Sequence, residues 1–251
     1  MNFHVIIPAR FHSSRLQGKP LAKIGDKEMI LHVCESAVSS GAKSVTVATD
    51  NHKIQSIVEQ AGFSAVMTRE EHESGSDRIF EAAEYLGLAA DDVIVNVQGD
   101  EPFIPSKNIS QVASIIENTN AQMATLCCKI SDKNEALDAN IVKVIFDKNN
   151  KAIYFSRSLI PFNRNAEHST NDAQVYYRHI GIYAYTTAFL KQYVNWPVSK
   201  LEQAETLEQL RVLENGGEIF LEVLQETPQA GIDTKKDLDR ANRTFQRECS
   251  Y

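Results

Sequence analysis

The chain opens on Phe3-His4-Val5-Ile6-Ile7 and runs straight on through Pro8-Ala9-Arg10-Phe11-His12-Ser13-Ser14-Arg15-Leu16-Gln17-Gly18-Lys19-Pro20-Leu21. The first five residues read as a buried strand. The rest continues for more than a dozen residues with no helical pattern, and a loop that long in a compact domain is usually functional or disordered. Its small residues Ala9, Ser13, Ser14 and Gly18 let backbone N–H groups approach an anion, while Arg10, Arg15 and Lys19 supply charge, a combination that suits a polyphosphate. Charge alone would also describe a solvated basic surface loop; the position directly after the first strand favours a ligand. The loop is not a Walker A motif, because Ser13 and Pro20 stand where that motif needs a Gly and a Ser or Thr.

Working outward, further strand-like runs at 44–48 and 92–97 alternate with helical patterns at 28–40, 51–61, 75–87 and 106–118. Strand, helix, strand in that order predicts an α/β fold with a parallel sheet and crossover helices, whose ligands lie beyond the carboxyl ends of the strands. From about 122 the texture becomes strand-rich, at 123–130, 141–146, 152–156 and 177–185, with a polar stretch at 163–174 expected to be a mobile loop. We read residues 1–251 as a single domain carrying a strand-rich inserted subregion at about 122–185. Leu201, Ala204, Leu207 and Leu210 then predict a helix over 201–214, followed by a strand near 218–224 and a last helix from 235.

The chain has 251 residues, 43% of them hydrophobic and 24% charged, with 11 Gly and 7 Pro, which excludes collagen, a coiled-coil rod and a wholly disordered protein. At this size a chain buries roughly three quarters of its unfolded surface without needing disulfides. The net charge of -7 argues against non-specific affinity for nucleic acid or anionic membrane. Residues 1–25 nevertheless hold Arg10, Arg15, Lys19 and Lys23 and no acid. The cysteines at 34, 127, 128 and 249 form no C-x-x-C pair and read as thiols in a reducing compartment. With no signal-like N-terminus and no run of about 20 apolar residues, the expectation is a cytoplasmic protein without membrane insertion.

Several further residues could carry chemistry. Val93 to Asn96 runs into Val97-Gln98-Gly99-Asp100-Glu101-Pro102, and a carboxylate after such a strand can hold Mg²⁺ together with phosphate oxygens and water, although Gly-Asp is also an ordinary turn. Asp233 in Gly231-Ile232-Asp233-Thr234 could share that ion; Thr234 followed by Asp237 equally reads as a helix N-cap. Ser74, Ser76 and Arg78 precede or open a helix and have a capping and ion-pairing explanation. His179, Gly181 and Tyr183 share one face of a strand, and the bare Gly181 leaves room for a ligand between a ring nitrogen and a phenol. Glu208 and Gln209 flank an apolar stripe, with a Glu208–Arg211 pair as the plainer reading. Residue chemistry thus reaches a nucleotide- or phosphate-binding α/β protein using Mg²⁺.

Taken in order, IIPARFHSSRLQGKPL (6–21), VATD (47–50), HESGSDR (72–78), VNVQGDEP (95–102), YFSRSLIPF (154–162), RHIGIYAY (178–185), LEQLRVL (207–213) and GIDT (231–234) resemble the 3-deoxy-manno-octulosonate cytidylyltransferase (CMP-Kdo synthetase) family over nearly the whole chain. The resemblance implies a Rossmann-like nucleotidyltransferase fold. It also implies transfer of CMP from CTP to the anomeric 2-hydroxyl of Kdo, with Mg²⁺ and release of pyrophosphate, in lipopolysaccharide biosynthesis. Carried onto this sequence, Ala9, Arg10, Arg15, Lys19, Ser74 and Arg78 would bind CTP, and Asp100 and Asp233 the metal. Arg10, Lys19, Asp100 and Asp233 would act in catalysis, and Gln98, Arg157, Arg164, His179, Tyr183, Glu208 and Gln209 would meet the sugar acid. The resemblance implies a homodimer as well; Tyr176, Tyr177 and the exposed-looking strand residues around 152–160 are our own candidates for its surface. Two positions depart from the family pattern: Gln17 where Pro is usual and Ser76 where Thr is usual. The competing readings are a CMP-sugar synthetase for another 2-keto sugar acid (an 8-amino Kdo or a sialic acid) and a non-catalytic nucleotide-binding module.

Overall fold

The computed structural model describes residues 2–12, 16–72, 74–164 and 175–248. The chain divides into two compact units, Met1–Gln111 with Pro228–Tyr251, and Val112–Thr227. In the first unit β1 (Phe3–Ala9) leads through the loop into a 3-10 turn (Lys19–Leu21), the hairpin of β2 (Lys23–Ile24) and β3 (Lys27–Glu28), and α1 (Met29–Ser39). There follow β4 (Ser44–Thr49), α2 (His52–Gln60), β5 (Ser64–Met67), α3 (Gly75–Tyr85), β6 (Val93–Asn96) and α4 (Ser106–Thr119). The four long strands run parallel in the order β6-β1-β4-β5. A strand buried on both faces, as β1 is, needs cover on each, and the helical crossovers supply it. The α/β expectation holds, and every carboxyl strand end lies on one edge of this sheet.

The second unit is built on β7 (Met123–Lys129), followed by α5 (Lys133–Leu137), β8 (Lys143–Phe146), β9 (Ala152–Ser156) and β10 (Tyr177–Thr186). Then come α6 (Thr187–Val194), α7 (Lys200–Glu205), α8 (Leu210–Glu214) and β11 (Ile219–Leu224). β7 pairs antiparallel with β10 and parallel with β11, while β8 joins β10 to β9. The strand-rich stretch noted at 122–185 falls inside this unit. One expectation is corrected here: instead of a continuous helix over 201–214 there are two short ones, because Thr206 closes α7 in the left-handed region at φ 54°. A second concerns Tyr176, which is buried against Ile130 and Ala136 inside this unit and so is not available as a surface contributor to a dimer.

The chain returns to the first unit in α9 (Lys235–Glu248). Leu238 and Ala241 of α9 pack on Ile24, Met29 and Ile232, with Leu16, Phe103 and Phe245 around them. This small core ties the loop after β1 to the segment before α9, two regions more than 200 residues apart in sequence.

Candidate functional site

The first cluster is centred on the loop after β1. Ala9 is the last residue of β1 and buried, and Arg10 is exposed. The loop closes on itself where the Gly18 N–H donates to the Phe11 carbonyl at 3.1 Å, with Gly18 left-handed at φ 63°, a conformation that a side chain would strain. Lys19 then begins the 3-10 turn and its ammonium bridges two carboxylates, Asp100 Oδ2 in a very short contact and Asp233 Oδ1 at 3.0 Å. Burial opposes the charge on Lys19, yet the two carboxylates outweigh it and hold its pKa above the usual lysine value. Asp100 and Asp233 meet because the Ile232 N–H donates to the Asp100 carbonyl at 2.9 Å, and because Gly231 leaves no Cβ where one would sit 2.7 Å from Glu101 Oε1. The three residues that charge and spacing singled out thus converge.

Arg78 and Ser74 lie in the same unit with local tasks. Ser74 caps α3, accepting the Asp77 N–H at 3.1 Å and donating to Asp77 Oδ2 at 2.7 Å. Arg78 is buried, donating to Asp50 Oδ2 at 2.8 Å and Thr68 Oγ1 at 2.5 Å. Asp50 Oδ1 also accepts the Phe11 N–H at 3.1 Å, so Arg78 is linked through Asp50 to the loop after β1. Gln98, past the end of β6, is half-buried and donates to Asn96 Oδ1 at 3.0 Å. Arg15 lies outside the described residues. Among the described residues no three or more His, Cys, Asp or Glu side chains gather as a metal site; Asp100 and Asp233 stand as a pair.

The second cluster belongs to β10 and the turn between α7 and α8. A bulge in β10 shifts the register so that His179 lies opposite Cys127 and Tyr183 opposite Thr125. Four residues that would span about 13 Å in a regular strand are thereby compressed, and the two rings lie 5.4 Å apart. This corrects the expected ligand gap at Gly181, since the rings approach each other and Gly181 faces outward. Thr125 Oγ1 stitches the bulge, lying 3.1 Å and 2.8 Å from the Ile180 and Ile182 carbonyls and 3.0 Å from His179 Nε2. Burial, with Arg178 adding to it, pushes the His179 pKa down to about 3, so the imidazole is neutral. Burial and then the Glu208 carboxylate push the Tyr183 phenol well above its usual value, so it too is neutral. Glu208 is exposed, and Gln209 is buried with its Nε2 lacking a hydrogen-bond partner among the described residues. An orphaned buried amide is costly unless a ligand completes it. Arg211 forks onto Glu202 at 2.6 and 2.7 Å, so the expected Glu208–Arg211 pair is not its principal ion pair.

Arg157 is engaged on every nitrogen: Nε on the Glu205 carbonyl at 2.7 Å, Nη1 on that of Ala139 at 3.2 Å, Nη2 on that of Thr206 at 3.4 Å. Arg164 is exposed. Of the polar stretch 163–174, residues 165–174 lie outside the described residues.

The cytidylyltransferase family model matches residues 4–221. The chain belongs to the cytidylyltransferase family. A protein of Francisella tularensis subsp. novicida named 3-deoxy-manno-octulosonate cytidylyltransferase is 49% identical over 97% of this chain and 98% of its own. One of the same name from Glaesserella parasuis is 46% identical over the full length of both. A solved CMP:2-keto-3-deoxy-manno-octonic acid synthetase, complexed with CTP, superposes with a TM-score of 0.90 at 39% identity, over 98% of this chain and 99% of that one. A putative glucose-1-phosphate thymidylyltransferase from Bacillus anthracis, 17% identical with a TM-score of 0.66, shares the fold alone. No helix among the described residues is long and apolar enough to cross a membrane.

For this cytidylyltransferase, sequence reading missed Asp50, Thr125, Lys143 and Glu205. Asp50 ends the VATD block and follows a parallel strand, a signal that was present. Thr125 sits within an apolar strand, and Lys143 looks like any charged residue at a strand start; only the fold reveals that both are buried.

Proposed function

We propose that the protein catalyses transfer of CMP from CTP to the anomeric 2-hydroxyl of Kdo, releasing pyrophosphate and giving CMP-Kdo for lipopolysaccharide biosynthesis. The single observation that carries this reading is the near full-length identity to relatives named for that reaction. The site chemistry agrees with it. Arg10, Arg15 and Lys19 offset the triphosphate charge, without which two anionic substrates could not approach. Asp100 and Asp233 already share one cation, the Lys19 ammonium, so the pair suits a single hard cation. Mg²⁺ fits this donor set, taking two carboxylates plus phosphate oxygens and water, and when bound it neutralises charge at the α-phosphate and polarises the attacking hydroxyl. Lys19 then has phosphate oxygens as its alternative partners.

The reaction is an in-line displacement: the Kdo hydroxyl gives its proton up to solvent as its oxygen forms a bond to the α-phosphorus, and the bond to the bridging oxygen breaks with its electron pair leaving on pyrophosphate. Positioning and charge neutralisation carry such a step, with no covalent help from the protein. His179 and Tyr183, both neutral, orient the acceptor through hydrogen bonds and take no proton from it. Arg157 and Arg164 attract its carboxylate, while Gln98, Glu208 and Gln209 meet hydroxyls, Gln209 with its spare amide. Ala9, Ser74 and Arg78 complete the CTP site. The protein works in the cytoplasm as a homodimer.

The test is Mg²⁺-dependent pyrophosphate release from CTP with Kdo, 8-amino Kdo and N-acetylneuraminic acid in parallel. Release with Kdo alone is the expected result. Release only with another acceptor moves the error to the sugar, and none at all leaves a nucleotide-binding module.

A further inference from the structure

We propose that Lys143 is a positioning residue for the acceptor cluster, whose ammonium fixes the main chain around Arg157 and, through it, the turn that presents Glu208 and Gln209. The inference rests on reading those residues as the sugar-acid site. Lys143 has no exposed surface, and its Nζ lies 2.9 Å from the Asp138 carbonyl and 2.6 Å from those of Ile141 and Arg157. An ammonium has three protons, so these three carbonyls use its full donor capacity. For packing alone an apolar side chain would serve better, since a buried cation is expensive and no carboxylate among the described residues is in contact with this one. What the charge adds is a join between segments that are separate in the chain.

That join reaches the acceptor residues by two short routes. On one, Arg157 donates from its amide to Glu205 Oε2 at 2.9 Å and from its guanidinium to the carbonyls of Glu205 and Thr206, while Ser156 donates to Glu205 Oε1 at 2.5 Å. Thr206 sits in the left-handed region, a conformation that persists only when its surroundings impose it, and Glu208 and Gln209 follow two and three residues later. On the other, Val142, between Ile141 and Lys143, accepts the His179 N–H on its carbonyl at 2.9 Å. Both arms of the acceptor cluster therefore hang on the segment that Lys143 clamps.

The test is steady-state kinetics with CTP and Kdo on the wild type, Lys143→Met and Glu205→Gln, each checked for folding by circular dichroism. Lys143→Met should raise KM for Kdo about tenfold or more while KM for CTP stays within about twofold, the signature of a misplaced acceptor site. An unchanged KM for Kdo, or KM values for both substrates rising together, would overturn the proposal. If Lys143→Met does not fold, Glu205→Gln decides: about a threefold rise in KM for Kdo is expected, and none overturns it. Turnover of the wild type with Kdo separates the two readings. Its absence defeats the proposed function and the inference with it, whereas wild-type turnover with unaltered variants defeats the inference alone.

Discussion

At the centre of the first unit, charged groups meet one another where solvent still reaches them: Lys19 lies between Asp100 and Asp233, whose side chains are 27% and 46% exposed. In the second unit the two rings at the bulge are neutral, with an imidazole pushed down to about pKa 3 and a phenol pushed up, and the buried Gln209 Nε2 has no hydrogen-bond partner among the described residues. Under the proposed function the first arrangement would exchange one cation for another as a polyanion arrives, and such exchange needs exposure. On the same reading the second would meet the hydroxyls of the acceptor, for which a fixed set of neutral donors and acceptors discriminates best, and leave its carboxylate to Arg157 and Arg164. The two clusters thus differ in what organises them, charge in the first and burial in the second.

The contrast can be broken first at Asp50, where the charge-organised unit relies on a buried pair. Asp50→Ala strands the buried Arg78 and should cost about 3 kcal/mol or more of stability, measured by denaturant unfolding; a loss under about 1 kcal/mol would mean that Arg78 finds another partner. Next, Asp233→Asn should lower turnover by about 10²-fold at saturating Mg²⁺, as the loss of a group stabilising transition-state charge does. Near-normal turnover would remove Asp233 from the metal site.

The burial-organised cluster is sharpened by pH. An unfolded His179 titrates near 6.5 and the folded one near 3, so between those values only the unfolded chain takes up the proton. The stability this group contributes is full above pH 6.5 and is lost as pH falls toward 3, by as much as about 1.4 kcal/mol per pH unit. His179→Gln should flatten that part of the stability–pH curve, and identical slopes in wild type and variant would contradict an imidazole held neutral in the fold. The smallest effect is expected at Gln17, which precedes the left-handed Gly18 in a turn closed by the Lys19 N–H on the Leu16 carbonyl. Proline suits that position, so Gln17→Pro should raise stability by about 0.5 kcal/mol, visible in the thermal midpoint.

The charge-organised cluster was the more legible in sequence. β1, β4 and β6 declared themselves by apolar runs, and Lys19 and Asp100 stood beside strand ends where a parallel sheet places its ligands. Asp233 needed the small core around Ile232 and Leu238 to arrive there, which no local pattern encodes. The second cluster was hidden for a physical reason: the bulge at Ile180–Tyr183 and the left-handed Thr206 both break the regular period that sequence reading relies on. The first made Gly181 look like a gap, and the second turned one expected helix into two. The family resemblance named the residues of that cluster but not the frame of Thr125, Lys143 and Glu205 that holds them.

The most direct measurement of the central contrast is a side-by-side kinetic comparison of Asp100→Asn and Tyr183→Phe with CTP, Kdo and Mg²⁺. The predicted result is a split: Asp100→Asn loses about 10²-fold in kcat with little change in KM for Kdo, while Tyr183→Phe raises KM for Kdo with kcat nearly kept. If both variants alter the same kinetic constant to a similar degree, the division into a charge-organised and a burial-organised cluster is wrong.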